Sequence, residues 1–397
     1  MSASVSGTTS TVTTDDVVSK ILRLAADSPI VALRADRPQQ VDELQAYYDS
    51  LFTPEPDSAA AFPVLDRALV AIRVASHTGS DAVVAWYEGV AREHSATDAQ
   101  IAAAKDIATP NADDTILGAA IRRADLVTTH LVDTTKDDVD ALKAAGLSPQ
   151  GILALSQVIA FVAYQVRFVA GLRAFLRETA AVPFAIPAAA IPAAPEGAVR
   201  PALGSDARPE FTLDLLAWKP WLETAYEADL TPERRAEVEA FVGTSPNSIY
   251  QATLANDLAS LEARAKVHHH LFTSEEPEPT AWRELGATTA SRINGCVFCA
   301  SVHARIYAHK SGRREAAEAL LRDSIDAELP PAERAVVDLA TRVTLAPESL
   351  SQTDFTALRD LGFDDPGILD VINYTAFFAN ANRLMLTLGE PYPARPA

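Results

Sequence analysis

The chain has 397 residues, enough for two domains of roughly 150–200 residues each. Its hydrophobic content of 48% and charged content of 22% are those of a folded globular protein, not a disordered one. A net charge of −19, with no run of Lys or Arg to form a basic patch, sets the chain against nucleic-acid backbones and anionic membrane surfaces.

Residues 1–16 form a Ser/Thr-rich stretch, read as a disordered polar tail. It lacks the basic and apolar regions of a signal peptide. With only two cysteines and no export signal, the expected compartment is the reducing cytoplasm. Abundant alanine, only 16 glycines and 7% aromatic residues favour helices over sheets.

Residues 64–75 place apolar side chains at helical spacing, with Arg67 and Arg73 among them. Segments 115–131, 135–145 and 149–178 read as successive helices, the last two parted by the turn Gly146-Leu147-Ser148. Ser148 and Asp364 sit where N-caps belong, just ahead of Pro149 and Pro366. The most apolar stretch, 151–176, is interrupted by Gln157, Gln165, Arg167 and Arg173, which fits a buried helix better than a membrane span. Arg167 and Arg383 are expected to pair with carboxylates inside their helices. Segment 252–267 reads as a further helix, with His268, His269 and His270 serving its C-terminus or, as the alternative, one of these imidazoles facing the cysteine-bearing segment from the neighbouring helix. No β-branched alternating run is bounded by turn residues, so the predicted fold class is all-α.

Adding 216 to positions in the first half lands on like residues in the second. Gly151-Ile152-Leu153 maps to Gly367-Ile368-Leu369, Ala160-Phe161 to Ala376-Phe377, and Arg167 to Arg383. Asp138, Leu142 and Gly146 map to Asp354, Leu358 and Gly362, and Arg67, Leu69 and Gly79 to Arg283, Leu285 and Gly295. One offset across separated blocks points to an internal repeat. Six prolines between Pro183 and Pro209 interrupt an Ala-rich run and define a linker at 182–209. Two tandem helical domains, 17–181 and 210–397, follow.

Both cysteines fall in one motif, Cys296-Val297-Phe298-Cys299, with His303 four residues beyond and Glu284 twelve residues before. Asn294-Gly295 breaks the preceding helix, so Cys296 lies at a helix start. Positions 296, 299 and 303 then share one face. Unpaired amides at a helix start favour a thiolate. Glu284 could fold back beside His303 to make a proton relay for Cys299. A zinc site of Cys296, Cys299 and His303, completed by Glu284 or one of His268–His270, is an alternative, as is simple packing of two small apolar side chains.

The pattern Glu-x11-Cys-x2-Cys-x3-His, ending its turn in Asn-Gly-Cys, resembles the alkylhydroperoxidase AhpD-like/carboxymuconolactone decarboxylase family, and the length and repeat resemble its double-domain, peroxidase-related members. The resemblance implies a thiol-dependent peroxidase, reducing organic or hydrogen peroxides. Cys299 would be the peroxidatic thiolate, Cys296 its resolving partner, and His303 and Glu284 the relay. It implies no cofactor and no metal. The partners would be a peroxide substrate, a thiol reductant (a dithiol protein or lipoyl-type carrier) and further copies of the chain in a homo-oligomer. Phe298 stands between the cysteines where typical hydroperoxidases often carry histidine. The family's decarboxylase branch, a lyase acting on a lactone acid, works without cysteines. A non-enzymatic redox sensor or metal-binding assembly protein is the alternative from another class.

At the same offset, Glu284, Cys296, Cys299 and His303 correspond to Ala68, Ser80, Val83 and Tyr87. The first domain is therefore expected to be a degenerate, catalytically silent copy, with His77 nearby playing a structural part. Trp218, Trp221 and Trp282 are candidates for a pocket wall, an interface or the core.

Overall fold

A computed structural model describes residues 14–178, 210–228, 230–242, 249–272 and 277–394; the linker predicted at 182–209 and residues 1–13 of the tail lie outside them. Asp16, assigned to the tail from sequence, instead caps α1 (Val17–Leu22), accepting from the Val18 and Ser19 amides. Its buried carboxylate is held by Arg34 of α2 (Pro29–Ala35) at 2.9 Å. The ion pair anchors the chain earlier than polarity alone suggests.

The first half continues through α3 (Pro38–Phe52), α4 (Pro56–Ala61), α5 (Val64–His77), α6 (Asp81–Glu93) and α7 (Asp98–Lys105). It closes with α8 (Ile116–Thr129), α9 (Lys136–Ala144) and the long α10 (Pro149–Ala174). Local chemistry sets these starts. Thr97 and Gln100 form a capping box at α7, and the Ser148 hydroxyl accepts from the Gly151 amide ahead of α10. Arg67, fully buried in α5, donates to the carbonyls of Leu51, Ser58 and Phe62 and so fastens the turn around α4. His77 bonds to Asp125 at 2.7 Å beside Arg73, a structural role.

The second half runs α11 (Pro232–Val242), α12 (Ile249–Leu254), α13 (Leu258–Phe272), α14 (Pro277–Ile293) and α15 (Val297–Ser311). It ends with α16 (Arg314–Asp323), α17 (Pro331–Leu345), α18 (Thr356–Asp360) and α19 (Asp365–Thr387). Asp364 caps α19 through the Gly367 amide. The helix predicted at 252–267 is in fact two, α12 and α13, joined by a 3-10 turn at Ala255–Asp257. Element boundaries recur at the displacement of 216: α6 and α15, α7 and α16, and α10 and α19 start in register, and α5 and α14, like α8 and α17, end in register.

Strands were not expected, yet a small antiparallel pair forms from β1 (Leu216–Pro220) and β2 (Gly389–Pro393). Its residues show no β-branched alternation; what holds it is tertiary packing. Trp218 is buried and donates to the Met385 carbonyl at 3.0 Å. A side chain at Gly389 would collide with the Trp218 ring and the Lys219 carbonyl. Trp221 is likewise buried in the core.

Helices α10 and α19 pack along one another and join the halves. Tyr164 donates to Asn373 at 2.7 Å and meets Phe377 edge-on. Arg37, at the N-cap of α3, reaches Asp370 of α19 at 2.9 Å. α10 is the helix among the described residues long and apolar enough to cross a membrane, and that apolar stretch is wholly buried inside the protein. The carboxylates expected beside Arg167 and Arg383 are not there. Arg167 donates to the Thr344 and Ala163 carbonyls and Arg383 to the Ala379 carbonyl. Burial, with Arg167 nearby, holds the Arg383 pKa well below the ordinary guanidinium value.

The α10–α19 contact is close enough to predict a mutational effect. A methyl group at Gly171 would lie 2.3 Å from Cγ2 of Ile372. Gly171→Ala should therefore destabilise the fold by about 1–3 kcal/mol through overpacking, read as a lower urea midpoint. The same substitution in an Ile372→Ala background should cost far less. An equal penalty in both backgrounds would show that the crowding lies elsewhere.

Candidate active site

Helix α14 carries Glu284 on its buried side, and the chain reverses at Asn294-Gly295. Gly295 has φ +76°, a left-handed conformation that disfavours side chains, so the reversal depends on glycine. Cys296 follows as the N-cap of α15, and Cys299 lies in its first turn, as the sequence predicts. Both sulfurs are reduced and buried. One further turn on, Nδ1 of His303 donates to Oε2 of Glu284 at 2.5 Å. The two helices thus bring the carboxylate, imidazole and dithiol of the sequence motif together.

Electrostatics separate the two sulfurs. Burial pushes the Cys296 thiol well above its usual value, and its hydrogen bond to Cys299 adds to this. Cys299 is shifted the other way. The hydrogen bond from Cys296 is the largest cause; burial opposes it, and the charges of His303 and Arg264 and a hydrogen bond from Asn382 assist. For His303, burial disfavours the imidazolium, but the charge and hydrogen bond of Glu284 outweigh it and leave the pKa raised. These shifts favour ionisation of Cys299 over Cys296 and favour the protonated form of His303.

Several surrounding residues were not singled out from sequence. Asn382 of α19 donates to Ser291 at 3.0 Å and accepts from Asn294 at 2.9 Å, which places its amide against the sulfurs. Arg264 of α13 is buried, donates from Nε to Asn380 at 2.8 Å, and lies over the rings of Tyr250 and Phe377. The Tyr250 hydroxyl is buried without a hydrogen-bond partner among the described residues, and burial pushes its pKa up to about 12. The available signal was polarity out of place. Asn380 and Asn382 interrupt an apolar buried helix where the first half has Tyr164 and Val166.

The histidine run also differs from expectation. His268 does not serve the end of α13; it packs against Phe377 and feels the charges of Arg264 and His303. Burial lowers its pKa to about 3, so it stays neutral beside the site. His270 instead bonds to Glu43 of α3 at 2.6 Å. Among the described residues no group of three His, Cys, Asp or Glu side chains is arranged to hold a metal ion. Trp282 lies between Arg313 and Phe363, on the far side of α14 from the motif's buried face.

The four corresponding positions of the first half, Ala68, Ser80, Val83 and Tyr87, hold no thiol, acid or imidazole. Val83 and Tyr87 are buried there, with Tyr87 donating to Gln165 at 2.7 Å and packing its ring on Phe52.

Residues 259–342, which include α14, both cysteines and His303, match the family described as Carboxymuconolactone decarboxylase family. Among solved structures, an uncharacterized peroxidase-related protein from Ralstonia eutropha JMP134, described as an alkylhydroperoxidase AhpD core, is 29% identical. The match covers 40% of this chain and 84% of that one, with a TM-score of 0.34. A comparison with curated proteins gave no match. Glu284, Cys296, Cys299 and His303 thus all lie within the segment, residues 259–342, that is similar to the Carboxymuconolactone decarboxylase family.

Proposed function

We propose that the protein is a thiol-dependent peroxidase whose active half is the second, the first being a silent copy of the same domain. The observation that carries this reading is the buried Glu284–His303 contact beside a reduced dithiol whose two sulfurs are shifted in opposite directions. A redox pair needs one nucleophile and one reserve thiol, and the opposite shifts fit those two parts.

In the proposed cycle the Cys299 thiolate attacks one oxygen of a hydroperoxide and breaks the O–O bond. The departing alkoxide takes a proton from His303 Nε2 and leaves as an alcohol, while Glu284 holds the ring through Nδ1. Cys299 is then a sulfenic acid. It no longer carries the negative charge that helped keep the Cys296 proton in place, so Cys296 can ionise and attack it. The hydroxyl leaves as water and the Cys296–Cys299 disulfide forms. A dithiol reductant returns both electrons and restores the pair. The chain's own residues activate and resolve the sulfur; neither step calls for a metal.

Adding hydrogen peroxide or an organic hydroperoxide should consume two thiols per chain, measured with a chromogenic disulfide reagent. Cys299→Ser should reduce peroxide turnover to background, and Cys296→Ser should trap a sulfenic acid detectable by a dimedone-type probe and mass spectrometry. Turnover of a lactone acid that survives loss of both cysteines would replace this reading with a lyase one.

The relay makes its own pH prediction. The Glu284 carboxylate raises the His303 pKa against burial, so Glu284→Gln should lower it, because burial is then less opposed. NMR titration of the His303 ring should show that downward move. With less positive charge nearby, the Cys299 pKa should rise, and its alkylation at pH 7 should slow by about tenfold for each unit of rise.

A further inference from the structure

The silent half touches the thiol centre through one hydrogen-bonded chain. Nε of Arg264 donates to Oδ1 of Asn380 at 2.8 Å. The Asn380 amide in turn donates to the hydroxyl of Tyr47 at 2.9 Å, and Tyr47 donates to Oε1 of Gln157 at 2.6 Å. Tyr47 and Gln157 belong to α3 and α10 of the first half; Arg264 and Asn380 belong to α13 and α19 of the second. Every member is buried. A tyrosine hydroxyl that accepts from one amide and donates to another fixes the orientation of both, because each amide has a distinct donor and acceptor end.

Arg264 is well placed to matter for the sulfur. It makes no ion pair with a carboxylate among the described residues. Its guanidinium lies 5.2 Å from the centre of the Phe377 ring, which packs on Phe378, which in turn meets His303 edge-on at 4.5 Å. Its charge is felt by Cys299, Tyr250, His268 and Tyr47 alike. A buried cation favours negative charge nearby, and the Cys299 sulfur is one of the groups that feel the Arg264 charge.

We propose that Tyr47 is a positioning residue for the thiol centre: through Asn380 it holds the Arg264 guanidinium where it stabilises the Cys299 thiolate. The second half's reactive sulfur is thereby tuned from the first half, which keeps a function after losing its own nucleophile. The inference deepens the peroxidase reading and rests on it for biological meaning, but its physical content concerns ionisation alone. The titratable and charged groups facing Cys299 are Cys296 and His303 on its own segment, Glu284 from α14, Arg264 and His268 from α13, and Tyr250 from α12. Of these, Arg264 is the group tied to Tyr47 by hydrogen bonds, through Asn380, and Tyr250 is the other whose charge Tyr47 feels.

The test is the pH dependence of Cys299 alkylation by iodoacetamide, read at that residue by mass spectrometry on the full-length reduced protein without peroxide. Tyr47→Phe keeps the ring and removes the hydroxyl. It should move the inflection to higher pH and slow alkylation at pH 7 by about two- to tenfold, the range of one hydrogen bond. Arg264→Gln should move it further, and Tyr47→Phe added to Arg264→Gln should change nothing more, since the two act as one unit. Asn380→Ser breaks the same chain from the other side and serves if Tyr47→Phe does not fold, as judged by circular dichroism. An unchanged inflection in Tyr47→Phe and Asn380→Ser, with Arg264→Gln still shifted, overturns the role of Tyr47. An unchanged inflection in Arg264→Gln overturns the whole inference. Because no peroxide is used, a protein inert to peroxide would defeat the peroxidase reading without touching this result.

Discussion

Glu284 is almost fully buried, and a carboxylate cannot be taken from water without a strong compensating contact. His303 supplies it, and the requirement constrains everything around the site. For Oε2 and Nδ1 to meet, α14 and α15 must reverse at one tight turn and pack closely along their length. Gly295, in its left-handed conformation, permits that reversal. The same turn leaves Cys296 as the cap and Cys299 in the first turn of α15, so the fixed carboxylate–imidazole contact also fixes where the sulfurs lie. The chemistry and the helical hairpin are one constraint seen twice.

Two cysteines three residues apart at one helix start would be expected to respond alike to the unpaired amides there. They do not, because burial raises both and only one proton donor is available between them. The S–H of Cys296 points its hydrogen bond at Cys299, which lowers one pKa and raises the other. Imidazolium and guanidinium charges then reinforce the choice of Cys299. In the proposed cycle this asymmetry would relax once Cys299 is oxidised, freeing Cys296 to act as the resolving thiol.

Features that rest on spacing could be read directly from the chain. The caps at Ser148 and Asp364, the reversal at Gly295 and the grouping of Glu284, Cys296, Cys299 and His303 all depend on neighbours close in sequence. What depends on distant neighbours could not. Arg264 and Asn382 come to the sulfurs from α13 and α19, and nothing in their local sequence marks the destination. Arg167 and Arg383 invited a search for carboxylates, but buried guanidinium groups can also be met by carbonyls freed near helix ends and turns, as at Thr344. The β1–β2 pair escaped for a related reason, since it is held by the Trp218 ring over Gly389 and not by β-propensity. His268 looked like a helix-end residue because position was visible and orientation was not.

The first half supports the second even apart from the thiol. Nearly every residue of α19 from Ile368 to Thr387 is buried, including faces that α14 and α17 do not cover. α10 covers much of the rest, alongside α13, α15 and β2, and is itself apolar around most of its circumference. Separating the halves would expose two helices of that kind to water at once, a cost that no single lost hydrogen bond approaches. At the first-half positions that match Cys299 and His303 by the offset of 216, Val83 and Tyr87 are buried, and Tyr87 packs on Phe52. The α10 face of the first half is at the same time a core wall of the second, so changes there would act on the packing of both halves.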